Sequence, residues 1–331
     1  MRRLLPLLAA FLSLALLAPV APAGAEETPA YVAIGDSLAF GVGASDPATG
    51  GYVALTYETL RSSDRYRDRG LELINMGVPG ATSADLLLPG GQVERALAEI
   101  RDRQDDTSSS DDNVEIITVD IGGNDVLALA TPDSPCTTDA LGEECQGLFQ
   151  EMLGTLKGNL TEALGRLRQA APKAELVVVD LYSPLSGRGG AADLIADFAV
   201  GEMNAVTEEV ASRPELHAGL ASVFPPFRGR AAQLIATDGV HPNDAGHALM
   251  AEVVLAAIEG RDPVLPKDLM TPVAVEEMSR TPLGKGGLEP IASSQEEDDP
   301  SLALILAIAI PTALLGLGAV AAAYVTARGR S

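Results

Sequence analysis

Tyr31-Val32-Ala33-Ile34-Gly35-Asp36-Ser37-Leu38 is the stretch that decides the fold. Four apolar residues without polar alternation read as a strand buried on both faces. Gly-Asp-Ser then turns the chain, which places Ser37 at the carboxyl end of that strand. The pattern recurs. Residues 71–75 read as a strand running into Gly77-Val78-Pro79-Gly80-Ala81-Thr82. Residues 114–121, rich in β-branched side chains, run into Gly122-Gly123-Asn124-Asp125. Residues 176–181 and 221–224 read as a fourth and a fifth strand. Helical spacing fills the intervals. Residues 52–60 fit a helix, and so do Val93, Ala96, Leu97 and Ile100. Leu148, Met152, Leu156, Leu160, Ala163, Leu164 and Leu167 mark a long amphipathic helix stopped by Pro172. Helices are also expected at 192–211 and 244–258. Apolar strands alternating with helices imply a parallel sheet covered on both faces. The expected fold is a three-layer α/β/α sandwich with a mainly parallel, flavodoxin-like sheet of about five strands.

Ligands of such sheets sit at the carboxyl ends of the strands, where Ser37, Gly80 and Asn124 are expected. Asp238-Gly239-Val240-His241-Pro242, just before the last helix, supplies an Asp and a His three residues apart. With Ser37 these are the side chains of an acyl-transfer triad. The segments at 77–82 and 122–125 can supply donors to an oxyanion.

Four such blocks in this order resemble the SGNH hydrolases, also called the GDSL esterase/lipase family, over about residues 28–260. The resemblance implies that Ser37 is the nucleophile and that Asp238 and His241 complete the triad. It implies that the Ser37 amide, Gly80 and Asn124 are the oxyanion donors. Gly77 competes for the Gly80 role, but Gly80-Ala81-Thr82 fits the family pattern better. It also implies the flavodoxin-like sandwich. The chain lacks the Gly-x-Ser-x-Gly elbow of α/β-hydrolases, because Ala39 stands two after the serine. Asp and His on one loop separate the two folds further. The expected activity is hydrolysis of carboxylic acyl esters through an acyl-enzyme, without a cofactor, on a small-molecule or lipid substrate. A cell-envelope carbohydrate O-deacetylase is the alternative, disfavoured by the absence of Trp and scarcity of aromatic residues. A non-catalytic surface binding module is the third reading, and the intact triad argues against it. Leu86-Leu87-Leu88 and Val126-Leu127-Ala128-Leu129 either line an acyl pocket or simply pack in the core. Asp36 is expected to tie the nucleophile turn, and His217 and His247 to be structural.

Residues 1–25 read as a secretory leader: Arg2 and Arg3, an apolar stretch at 4–17, then Ala23-Gly24-Ala25 as the cleavage site. Residues 26–260 form the hydrolase domain. Residues 261–300 carry Pro263, Pro266, Pro272, Pro282 and Pro290 and the run Glu296-Glu297-Asp298-Asp299, the composition of a solvated stalk. The span 301–326 is expected to be a transmembrane helix, since 302–325 is free of charge. Arg328 and Arg330 make 327–331 a short cytoplasmic tail by the positive-inside rule. The expectation is a single-pass, monomeric protein of the cell membrane with its domain outside.

The formal net charge is −23. Such a surface repels nucleic acid and anionic headgroups, so no nucleic-acid partner is expected. Cys136 and Cys145 lie close together in a turn-rich segment of an exported domain, which implies a disulfide. Neither they nor the three histidines have metal-ligand spacing, so no metal is expected. The acidic stretch 105–112 lacks the regular ligand spacing of a calcium site and reads as a solvated loop. Asn159-Leu160-Thr161 is a glycosylation sequon in form, but it falls in a predicted helix.

Overall fold

The structure, a computed structural model, describes residues 28–105 and 113–266. The expected leader, nearly all of the acidic loop, the stalk beyond residue 266, the C-terminal apolar run and the tail lie outside the described residues. Five strands form one parallel sheet: β1 (Ala30–Gly35), β2 (Glu72–Asn75), β3 (Val114–Asp120), β4 (Glu175–Val179) and β5 (Ala218–Ala221). Their order is β2-β1-β3-β4-β5. The longer helices are α1 (Tyr52–Ser62), α2 (Gln92–Asp105), α3 (Glu143–Ala170), α4 (Ala191–Ala211) and α5 (Asp244–Glu259). One helix layer is the pair α1 and α5; the other is α3 packed between α2 and α4. This is the flavodoxin-like three-layer sandwich that the alternating pattern predicts.

Burial follows position in the sheet. All six residues of β1 are buried, because β2 and β3 flank it and helices cover both faces. The edge strand β2 leaves Glu72 and Asn75 exposed. Within the buried centre, the Tyr31 and Thr118 hydroxyls satisfy each other at 3.0 Å. In α3 the buried side chains are Cys145 in the first turn and then Met152, Leu153, Leu156, Leu160, Ala163, Leu164 and Leu167, one stripe at helical spacing. Arg168 then closes the helix: its guanidinium donates to the carbonyls of Ala171, Pro172 and Ala174 and, across the gap, of Leu216 and His217.

The fifth strand differs from the expectation. It is Ala218–Ala221, and Phe224–Phe227 is a turn of helix. Ala-Gly-Leu-Ala carries little β-propensity, whereas Val223 and Phe224 look like a strand. Asp180, at the end of β4, decides the matter. Its carboxylate accepts the Val223 N–H at 2.6 Å, the Phe224 N–H at 3.2 Å and the Ser222 hydroxyl at 2.6 Å. Those amides cap the turn at Pro225 and Pro226, which have no N–H to give a ladder. The fourth strand also stops at Val179, earlier than the apolar run to Leu181, because Asn204 takes over both the N–H and the C=O of Leu181.

Strand order reverses between β1 and β3, and the carboxyl ends of strands at such a switch point are where ligands of these sheets bind. Cys136 and Cys145 are bridged, tying the one-turn helix Pro135–Thr138 to the first turn of α3 on the same side of the sheet.

Candidate active site

The end of β1 is held with unusual completeness. Where β2 has stopped, Gln92 stands in for a neighbouring strand: it accepts the Gly35 N–H at 2.8 Å and donates to the Gly35 carbonyl at 2.9 Å. A side chain at Gly35 would collide with the Asp120 carboxylate, its register partner on β3. Asp120 uses that space to accept the Ala39 N–H at 3.1 Å and the Tyr52 hydroxyl at 2.9 Å. Asp36 caps the one-turn helix Ser37–Phe40 by accepting the Leu38 N–H at 2.9 Å, which is the turn-tying role the sequence suggests. Ser37 therefore starts a short helix whose backbone is fixed from three sides.

His241 and Asp238 reach it from the loop before α5. Asp238 Oδ1 accepts the Val240 and His241 N–H groups, each at 3.0 Å. Gly239 takes a left-handed φ of 78°, which lets the loop fold back on the carboxylate. Oδ2 accepts from His241 Nδ1 at 2.6 Å, and with Nδ1 donating, Nε2 is the acceptor for the Ser37 hydroxyl at 2.9 Å. Ser37 and His241 are buried, while Asp238 keeps a partly exposed edge. Burial pushes the Asp238 carboxyl up, but its hydrogen bonds from the His241 ring and from two backbone amides outweigh that and hold it at about 2. Tyr182, buried and stacked on Phe227 at 4.6 Å, donates to the Val240 carbonyl at 2.8 Å and anchors the loop to β4.

The two candidate glycines separate cleanly. The Gly77 N–H is given to Asn75 Oδ1 at 2.9 Å, and a Cβ there would meet Phe40 N at 2.6 Å, so this glycine serves close packing against the turn that carries Ser37. Gly80 has φ 84°, open space around its Cα, and an N–H that no hydrogen bond among the described residues uses. Asn124 departs from the picture of a free donor. Its Nδ2 donates to the Ala81 carbonyl at 2.9 Å and to Asp36 Oδ2 at 3.2 Å, so both amide hydrogens are engaged.

His247 is fully buried, accepts the Tyr52 N–H and donates to the Val42 carbonyl; burial lowers its pKa and keeps it neutral. His217 is exposed at the opposite end of the sheet, before β5. His247 thus ties Tyr52 to Val42, and His217 lies away from the site. Of the apolar candidates, Leu86 is buried in the core, Leu88 is exposed, and Val126 and Leu129 are half-buried against it. Asp120, Gln92 and Tyr182 were not singled out by the sequence. Asp120 alone left a signal there, as a carboxylate ending an apolar strand.

A family model described as GDSL-like Lipase/Acylhydrolase family matches residues 33–249. No curated protein matches the chain. Among solved structures, the lipase Lip_vut3 from a goat rumen metagenome is 22% identical with a TM-score of 0.52, covering 70% of this chain and 97% of that one. A mutant of Axe2, an acetyl-xylooligosaccharide esterase from Geobacillus stearothermophilus, is 19% identical with a TM-score of 0.49, covering 73% and 100%. Phospholipase A1 from Streptomyces albidoflavus NA297 is 20% identical with a TM-score of 0.47, covering 70% and 99%. The first of these shares the fold.

Asp36 and Asp120 are buried together with no Lys or Arg paired to either among the described residues. Burial raises both carboxyls, opposed at Asp36 by the Leu38 amide and the nearby His241, so that Asp36 is pushed up to about 6. A carboxyl whose folded pKa lies above its unfolded value of about 3.9 stabilises below that value and loses the contribution as pH rises through the folded one. Wild-type unfolding free energy should therefore fall between about pH 4 and pH 7. Asp36→Asn should flatten that slope, which urea titrations at several pH values measure. An identical slope in both proteins would contradict the assignment.

Proposed function

Because the chain belongs to the GDSL-like lipase/acylhydrolase family and is a carboxylic ester hydrolase, we propose that Ser37, His241 and Asp238 carry out its chemistry. The observation behind this reading is the pair of hydrogen bonds running from Ser37 Oγ through the His241 ring to Asp238. Ser37 Oγ attacks the ester carbonyl carbon while its proton passes to His241 Nε2. Asp238, ionised, keeps the ring in its tautomer and opposes the imidazolium charge. The tetrahedral oxyanion accepts from the Ser37 and Gly80 N–H groups. The Asn124 amide joins them by exchanging its longer bond, to Asp36, for the oxyanion. Collapse breaks the bond to the alcohol oxygen, which leaves with the proton from Nε2, and the acyl group stays on Ser37 Oγ. Water then gives a proton to Nε2 and attacks the acyl carbon. The second collapse releases the acid and returns the proton to Ser37.

The substrate reading is an ester with an apolar acyl chain. Six large apolar side chains stay exposed among the described residues: Val78, Leu88, Leu141, Leu194, Phe198 and Val264. Val78 stands two residues before Gly80 on the same loop, which supports apolar contact beside the site.

The domain is read as exported and held at the outer face of a membrane. The disulfide supports an oxidising compartment. No helix among the described residues is long and apolar enough to cross a membrane, so the anchor in this reading is the run 302–325.

Ser37→Ala and His241→Ala should each lower kcat on a nitrophenyl ester by about a millionfold. Asp238→Asn should lower it by about ten thousandfold, each variant being assayed as protein shown to be folded by circular dichroism. Wild-type turnover by Ser37→Ala would end the nucleophile assignment. For the location, protease added to intact cells of the natural host should release an active soluble fragment. Full-length protein in the culture medium would contradict the anchor.

A further inference from the structure

Ser83 joins three parts of the chain beside the oxyanion donors. It follows Gly80 and Ala81 on the loop after β2 and is fully buried. Its N–H donates to Asp125 Oδ2 at 2.9 Å and its hydroxyl to Asp125 Oδ1 at 2.6 Å. Asn159, half-buried in the middle of α3, donates its Nδ2 to the same hydroxyl oxygen at 2.9 Å. Asp125 is the next residue after Asn124, and Asn124 donates to the Ala81 carbonyl. The loop that carries Gly80 and the segment that carries Asn124 are thus clasped at two points, Ala81 to Asn124 and Ser83 to Asp125. The long helix α3 holds the second clasp from behind. Thr82 is kept out of it, since its N–H and hydroxyl both go to Asp85.

The clasp also accounts for Asn159-Leu160-Thr161. The asparagine amide faces Ser83, and the Thr161 hydroxyl donates to the Lys157 carbonyl within the helix. The acyl-transfer steps give none of Ser83, Asp125 and Asn159 a task. Their bonds are nonetheless of the strong kind, two donors on one buried carboxyl group.

We propose that Ser83, Asp125 and Asn159 are positioning residues that hold the Gly80 N–H and the Asn124 amide where the oxyanion forms. The inference rests on acyl transfer at Ser37. Oxyanion donors act only within hydrogen-bond reach of the developing charge. A displacement of about 1 Å costs on the order of a hundredfold in rate. Ground-state binding of the ester does not draw on these donors. Loosening the clasp therefore lowers kcat and spares KM. It also weakens a boronic acid, whose tetrahedral adduct on the serine places an oxygen among the same donors.

The test compares Ser83→Ala, Asp125→Asn and Asn159→Ala with the wild-type protein. Active serines are counted by titration to completion with a phosphonate ester, and kcat is expressed per titrated serine. Ser83→Ala and Asp125→Asn should fall about 10- to 100-fold in kcat, and Asn159→Ala about fivefold, with KM within about twofold. Boronic acid affinity should weaken in step with kcat. Asn159→Ala removes one bond from a half-buried position and keeps the test open if the buried variants fold poorly. Wild-type kcat per titrated serine in Asn159→Ala and in every variant that folds, with losses only in titratable sites or melting temperature, would overturn the proposal. So would kcat and KM changing together. A wild-type protein that titrates no serine at residue 37 would instead overturn the triad reading, and this proposal with it.

Discussion

Gly35 and Asp120 face each other at the last rung of the two central strands, and the site is arranged around that contact. Only a glycine leaves room for the carboxylate. The carboxylate, placed there, reaches past β1 to the Ala39 amide and the Tyr52 hydroxyl, so the turn that carries Ser37 and α1 are fastened to β3. Gln92 closes the other side of Gly35 with a pair of bonds that imitates a strand. A serine starting a helix at the end of such a strand has little backbone freedom left. Rotation of its side chain then decides whether its oxygen meets His241.

The site combines buried acid groups of opposite behaviour. Asp238 keeps an exposed edge and three donors, which hold it ionised. Asp36 and Asp120 have fewer donors and full burial, which push them toward the neutral form. One loop of four residues, with its glycine, places both Asp238 and His241, because they share the backbone that the carboxylate caps. Gly80 and Asn124, the donors in the proposed reading, stand on two separate loops. Bonds through Ser83, Asp125 and Asn159 tie those two loops to each other and to α3.

The parts legible in the sequence are those written in local pattern. The apolar runs of β1 and β3 and the stripe of α3 follow from spacing, and Gly-Asp-Ser and Asp-x-x-His mark turns where the structure has them. The fifth strand was misplaced because its Ala-Gly-Leu-Ala is weak in propensity. The stronger-looking Val223 and Phe224 are claimed by Asp180 from another strand. Gln92, Tyr182 and Asn159 could not be found by pattern. Each acts through one side-chain contact whose partner is dozens of residues away, and a helix surface or strand end gives no sign of it. Pattern favours Gly80 over Gly77, and the Gly77 amide is already given to Asn75. The Asn124 amide is the reverse case: its position fits the resemblance, but its hydrogens are held by Asp36 and Ala81 until something displaces them.

The central claim is that the acyl group passes through Ser37 Oγ. Rapid acid quench during turnover of a slowly deacylated nitrophenyl ester, followed by peptide mass analysis, tests it most directly. The account predicts a transient mass increase equal to one acyl group, confined to the peptide containing Ser37, appearing with a burst of nitrophenol. Steady hydrolysis with no acylated peptide at any quench time, or an acyl group on another residue that turns over at the same rate, would contradict it.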